Sequence, residues 1–135
     1  MMSILLDTSA YSAFKRGQSQ VVEILRTTHS ILLPTVVLGE LLAGFEVGSQ
    51  TEKNRHELLE FQQNPRVRTV EMTQATAERY ARIYSFLRRA GRSIPTNDLW
   101  IAACAMEHGV VLLTTNGHFR NLPQVLVEHV EMSNE

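Results

Sequence analysis

Only one cysteine, Cys104, stands in a chain of 135 residues. No disulfide can close within it, and a reducing, cytoplasmic compartment is the expected setting. No apolar run approaches the roughly 18 to 20 residues that span a bilayer, so no membrane partner is expected. The N-terminus has no basic start, and Asp7 interrupts its first apolar run, which argues against a signal peptide. Charge of one sign is lacking too: a net charge of -1 excludes a strongly basic, DNA-coating protein. It leaves open nucleic-acid recognition through a local patch or a bound metal. There is no GxxxxGK[ST] loop and no GxGxxG turn, so the common phosphate cradles are missing. No GxSxG elbow is present. The five histidines, His29, His56, His108, His118 and His129, show no HExxH or Cys/His metal spacing. Cys104 lies among Ala102, Ala103 and Ala105 and reads as a small core residue.

What is present reads as one globular domain. The chain is 44% hydrophobic and 20% charged, and its length suffices to bury roughly two thirds of its unfolded surface. Short apolar runs alternate with helical patterns. Strands are expected at Ser3 to Leu6, Ser30 to Leu33, Val67 to Val70, Val110 to Leu113 and Val125 to His129. Helices are expected from Thr8 to about Arg16, with Thr8 or Ser9 as cap, near Gln18 to Thr27, and from Pro34-Thr35 to about Phe45. Others are expected at Thr51 to Gln63, from Thr73 to Ala90, and from Asp98 to Glu107. Strands joined by helices predict a parallel sheet covered on both faces, with right-handed crossovers. Ligands in such folds bind beyond the carboxyl ends of the strands, near a topological switch point. Asp7 follows the first strand and Thr114-Thr115-Asn116 the fourth, so both face that edge. Residues 1–130 form the expected domain, and 131–135 a short flexible tail.

Three carboxylates occupy apolar surroundings. Asp7 ends Ile4-Leu5-Leu6, Glu40 lies inside Val36-Val37-Leu38-Gly39-Glu40-Leu41-Leu42-Ala43, and Asp98 opens Leu99-Trp100-Ile101-Ala102-Ala103. Each has a plain structural explanation. Asp7 can cap a helix, Glu40 can sit at a helix rim or pair with an arginine, and Asp98 can answer a helix dipole. Yet Val36, Val37, Ala43 and Gly44 flank Glu40 at helical spacing, and Ile101 and Ala102 flank Asp98, which turns both acids toward the core. If the three meet about 4 Å apart, their repulsion is on the order of 12 kcal/mol at an effective dielectric near 20, comparable to a domain's whole stability. A bound cation would relieve it. An all-oxygen site suits Mg²⁺ or Mn²⁺, not zinc, and such an ion can activate water against a phosphodiester. A basic group, Arg79, Arg82, Arg88, Arg89 and Arg92, is either a solvated helix face or a surface for phosphate or an acidic partner.

Four blocks carry a family resemblance: Ile4-Leu5-Leu6-Asp7-Thr8-Ser9-Ala10, Glu40-Leu41-Leu42-Ala43-Gly44, Asn97-Asp98-Leu99-Trp100-Ile101-Ala102-Ala103, and Leu113-Thr114-Thr115-Asn116-Gly117-His118-Phe119. In order and spacing the chain resembles a PIN domain, specifically the VapC-type toxin ribonucleases of toxin–antitoxin modules. The resemblance covers essentially the whole chain. It implies an α/β, PIN-like three-layer sandwich with a mainly parallel five-stranded sheet flanked by helices. It implies a Mg²⁺-dependent endoribonuclease, a homodimer, with RNA as substrate and a cognate antitoxin whose tail crosses the active site. Carried onto this chain, Asp7, Glu40 and Asp98 match the acids that hold metal. Thr8 follows the first acid, and Thr114 matches the hydroxyl of the closing motif as a support. Where that motif often has a further Asp, this chain has Asn116, which cannot carry charge or act as a base but can coordinate a metal or order a water.

Two functions from different classes follow. One is RNA hydrolysis by metal-assisted water attack, with Asp7, Glu40, Asp98 and Asn116 at the centre. The other is a non-cleaving module that keeps the fold and binds RNA or a partner, for which Asn116 and the near-neutral charge are the motives. A phospho-acceptor receiver fits poorly, because Glu71-Met72-Thr73 follows the third strand where the acceptor Asp should stand.

Overall fold

The computed structural model describes residues 2–132. Its elements run β1 Ser3–Leu6, α1 Thr8–Lys15, α2 Ser19–Thr27, β2 Ser30–Pro34, α3 Thr35–Val47, α4 Thr51–Gln62, β3 Val67–Val70, α5 Gln74–Arg89, α6 Thr96–His108, β4 Val111–Thr114 and β5 Val127–His129. A single 3₁₀ turn, Gly117–Phe119, follows β4. The five strands form one sheet in the order β3-β2-β1-β4-β5. Every pairing is parallel, so the mainly parallel sheet expected from the sequence is wholly parallel.

The apolar runs dictate this order. Ile4, Leu5 and Leu6 are all fully buried, as a strand needs when helices cover both sheet faces. β1 therefore takes the centre, with β2 and β4 beside it, where Ile31, Leu32, Leu33, Leu112 and Leu113 are also buried. β3 exposes Arg68 and Thr69 and lies at one edge, where charge discourages further pairing. Successive strands step outward from β1 to β3, and the chain then returns to the other side of β1 at β4. The switch point lies between the carboxyl ends of β1 and β4, and Asp7 N donates there to Leu113 O across 3.3 Å.

Local chemistry sets the helix ends. Asp7, and neither Thr8 nor Ser9, caps α1: its side chain accepts from Ala10 N. The two hydroxyls are thereby left for other work. Thr73 caps α5, and Thr73 N donates to Thr76 Oγ1 at 2.9 Å as the sequence spacing suggests. α6 begins at Thr96, two residues before the expected start, which puts Asp98 third in the helix. Gly109 ends it in the left-handed conformation, φ 62°, that glycine adopts without strain. α6 supplies Leu99 and Ile101 to Ala105 to the core, with Cys104 fully buried among them as expected. Of the expected tail, Glu131 accepts from Arg120 at 2.5 Å, and 133–135 lie outside the described residues.

Candidate active site

The carboxyl ends of β1 and β4 and the starts of α1 and α6 surround one acidic cluster, with α3 closing its side. Asp7 is its floor, only 3% exposed. Its Oδ1 accepts from Ala10 N at 2.8 Å and Ser9 Oγ at 2.8 Å, and its Oδ2 from Thr114 Oγ1 at 2.5 Å. Thr114 in turn accepts from Asn116 N at 2.9 Å, and Ser9 Oγ accepts from Thr115 N at 3.0 Å. The two strand ends are thus stitched together through the carboxylate. Burial pushes Asp7 above the ordinary carboxylate range, opposed by the hydrogen bonds from Thr114, Ala10 and Ser9, with a smaller upward push from Asp98.

Beside Asp7 an open cleft of about 420 Å³ is lined by Glu40, Pro95, Thr96, Asn97, Asp98, Asn116 and His118. Asp98 is 8% exposed, and its Oδ2 lies 2.6 Å from His118 Nδ1. Burial raises its pKa, the hydrogen bond and charge of His118 lower it, and Glu40 raises it again. Glu40 is half-buried, with Thr8 Oγ1 donating to its Oε1 at 2.5 Å and Asn97 Nδ2 to its Oε2 at 3.2 Å. Ala43 and Gly44, expected to share an inward face with Glu40, are exposed. α3 therefore presents Glu40 along its edge to the cleft and not into the core. Asn116 caps the 3₁₀ turn, its Oδ1 accepting from His118 N at 2.8 Å. A larger groove, about 800 Å³, opens at the opposite edge of the sheet between Arg26, His29, Arg66 and Arg68 and has no carboxylate in its lining.

The three acids are linked by charge through Asp98 but do not close to the roughly 4 Å spacing at which their repulsion would reach about 12 kcal/mol. Among the described residues, only Cys104, Glu107 and His108 bring three potential ligand atoms within 4.8 Å of one another. Burial, and not mutual repulsion, is the main cause of the raised values at Asp7 and Asp98. The donor set still suits a hard divalent cation. It is all oxygen, and Asp98 Oδ1 has no hydrogen-bond partner among the described residues. Mg²⁺ needs only one or two carboxylates because it retains several waters.

Thr8 and Thr114 donate their hydroxyls to Glu40 and Asp7 respectively. The arginines do not form one ridge. At 3.6 residues per turn Arg82 and Arg89 share an exposed face of α5. Arg88 sits on another, 6.0 Å from the Tyr84 ring. Arg79 bonds Ala75 O at 3.3 Å, and Arg92 spends its guanidinium on Asn121 O and Arg120 O at 2.9 and 3.1 Å. Ser9, Asn97 and His118 join the site without having been singled out as site residues. Each lies inside one of the four family-like blocks, which was the only signal available.

The sequence matches the PIN domain family model over residues 4–125. The chain belongs to the PIN-domain family. Among the relatives of this PIN domain is the ribonuclease VapC4 of Mycobacterium tuberculosis, 36% identical over 92 residues, or 68% of this chain and 71% of that protein. The ribonuclease VapC5 of the same organism is 29% identical over 87% of this chain and 86% of its own length. A crystal structure of VapBC-5, a toxin–antitoxin system of that organism, superposes with a TM-score of 0.75 at 27% identity, covering 98% of this chain and all of that one. VapBC2 from Rickettsia felis, bound to a promoter DNA fragment, shares the fold with a TM-score of 0.83 at 23% identity, covering 96% of this chain and 100% of that one.

Proposed function

We propose that this protein is a toxin endoribonuclease that hydrolyses RNA phosphodiester bonds by metal-assisted water attack and is neutralised by a cognate antitoxin. The observation that carries the reading is an open cleft lined by Glu40 and Asp98, with buried Asp7 close enough to Asp98 to feel its charge, at the switch point of a PIN domain whose relatives are ribonucleases. Asp7, Glu40 and Asp98 would hold Mg²⁺, or Mn²⁺ in its place. When bound, the ion supplies water activation and charge stabilisation at the scissile phosphate.

The chain's own side chains do the positioning. Thr114, Ser9 and Ala10 N hold the Asp7 carboxylate in one orientation. His118 holds that of Asp98. Thr8 and Asn97 fix Glu40, which is half-buried at the cleft wall and so placed to orient the attacking water or take its proton. Asn116, whose carbonyl is spent on the turn, acts through His118 and not as a base. Hydrolysis leaves a 5′-phosphate and a 3′-hydroxyl. Arg82 and Arg89, which share an exposed face of α5, are positioned to meet phosphate or an acidic partner.

The structural relatives, which are toxin–antitoxin complexes, support an antitoxin partner. Residues 1–130 are read as the catalytic domain, working as a homodimer. Induced expression tests the whole reading. Growth arrest should disappear on Asp7→Ala and on co-expression of a small neighbouring reading frame; arrest that survives Asp7→Ala refutes it. Asn116 favours a second reading, a PIN fold that binds RNA without cutting. Calorimetry separates the two, since the second requires RNA binding with no heat of Mg²⁺ or Mn²⁺ association.

A further inference from the structure

At the far end of α6 from Asp98, a second cluster has different chemistry. Cys104, Glu107 and His108 occupy positions i, i+3 and i+4, one face of the helix. One donor atom from each lies within 4.8 Å of the other two. Three further observations distinguish the cluster from a chance grouping. Among the described residues His108 Nε2 is buried and has no hydrogen-bond partner; Glu107 Oε1 is 3.9 Å away. Buried imidazole nitrogens are rarely left so, because an unmade hydrogen bond there costs about 1–3 kcal/mol. Glu107 is oriented from outside the cluster: Thr76 Oγ1 donates to its Oε1 at 2.5 Å and Thr73 Oγ1 to its Oε2 at 3.4 Å. Such outer hydrogen bonds aim and tune ligands at metal sites. The cluster also lies close beneath the surface, since the side chains of Glu107 and His108 remain 15% and 24% exposed while Cys104 is wholly enclosed.

We propose that Cys104, Glu107 and His108 form a binding site for a thiophilic divalent cation of the zinc class, separate from the nuclease cleft. One sulfur, one imidazole nitrogen and one carboxylate oxygen are the donors zinc prefers, in the three-ligand, open-position pattern. The all-oxygen cleft favours magnesium instead. The free thiol does not ionise at neutral pH, since burial, with the charge of Glu107 added, pushes its pKa up to about 12. Binding therefore displaces the thiol proton to solvent as the sulfur bonds the ion. The ion would tie the end of α6, through Glu107, to Thr73 and Thr76 at the start of α5. This site does not depend on the nuclease reading.

Co²⁺ titration of the purified full-length protein tests it, because a cobalt–thiolate bond gives a near-ultraviolet charge-transfer band that an oxygen-only site cannot. The expected result is one band saturating at one ion per chain, discharged by Zn²⁺. Cys104→Ala should abolish the band; alanine already surrounds this position, so folding should survive, and circular dichroism checks it. His108→Ala and Glu107→Gln should weaken binding, and Thr76→Val should weaken it roughly tenfold. No band in the wild-type protein overturns the proposal. So does a band lost in Cys104→Ala but unchanged in both His108→Ala and Glu107→Gln, which would mean a lone thiol.

Discussion

Thr114→Val replaces one hydroxyl by a methyl of the same shape at the point where the two central strands are joined to the active-site floor. Thr114 is fully buried, donates to Asp7 Oδ2 at 2.5 Å and accepts from Asn116 N at 2.9 Å. Loss of a hydrogen bond to a charged group costs about 1.5–3 kcal/mol and that of a neutral one about 1 kcal/mol. The variant should therefore be about 2–4 kcal/mol less stable near neutral pH, with a Tm lower by roughly 6–15 °C. The effect should depend on pH. Burial raises the folded pKa of Asp7 above its unfolded value, and the Thr114 hydrogen bond opposes that rise. A group of this kind stabilises fully below its unfolded pKa and loses that contribution as pH rises through its folded pKa. In Thr114→Val the folded pKa is higher still. The stability gap between wild type and variant should therefore widen as pH rises and narrow in acid, where both hold the proton. Urea unfolding followed by circular dichroism from pH 7 down to about pH 4 measures this. A gap that stays constant with pH, or a Tm change within 2 °C or so at neutral pH, would refute the reasoning.

The other predictions follow from the same contacts. Asp98→Asn removes a buried charge, so the metal-free protein should unfold at higher temperature at neutral pH while cleavage falls roughly 10²–10³-fold; calorimetry and a cleavage assay report the two halves. Its stabilisation should shrink in acid, because the raised pKa of Asp98 lets the wild type take up a proton there. His118→Ala should leave the fold intact but weaken Mg²⁺ dependence and cleavage about 10–100-fold, as loss of a ligand's outer hydrogen bond does; a titration of rate against Mg²⁺ checks it. Phe119→Ala should cost about 3–5 kcal/mol in urea unfolding, since this fully buried ring anchors the turn that carries Asn116 and His118.

Sequence reasoning reached the architecture because the strands are short, continuous apolar runs bounded by strong helix signals. Ile4-Leu5-Leu6 reads as a short strand of the buried type, and the position of Asp7 just beyond it follows from chain direction. The Thr73 to Thr76 capping signal is local, and it appears as expected. What was not legible is long-range. The Thr114 to Asp7 and Asn97 to Glu40 hydrogen bonds join residues far apart in the chain. The facing of His118 to Asp98 depends on how the 3₁₀ turn folds back over α6. Glu40 was expected on a buried face because its neighbours are apolar, but Ala43 and Gly44 are small enough to stay in solvent at little cost. The histidines show no familiar metal spacing in the sequence, and Cys104, Glu107 and His108 come together because they share one face of α6. Their helical spacing was visible, but the support from Thr73 and Thr76 was not.

Cleavage of a 5′-labelled RNA by the purified protein, compared in Mg²⁺, in EDTA and with Asp98→Asn in Mg²⁺, tests the central claim most directly. Cut products with 5′-phosphate and 3′-hydroxyl ends should appear only for the wild type in Mg²⁺. Equal cleavage under all three conditions would contradict the account.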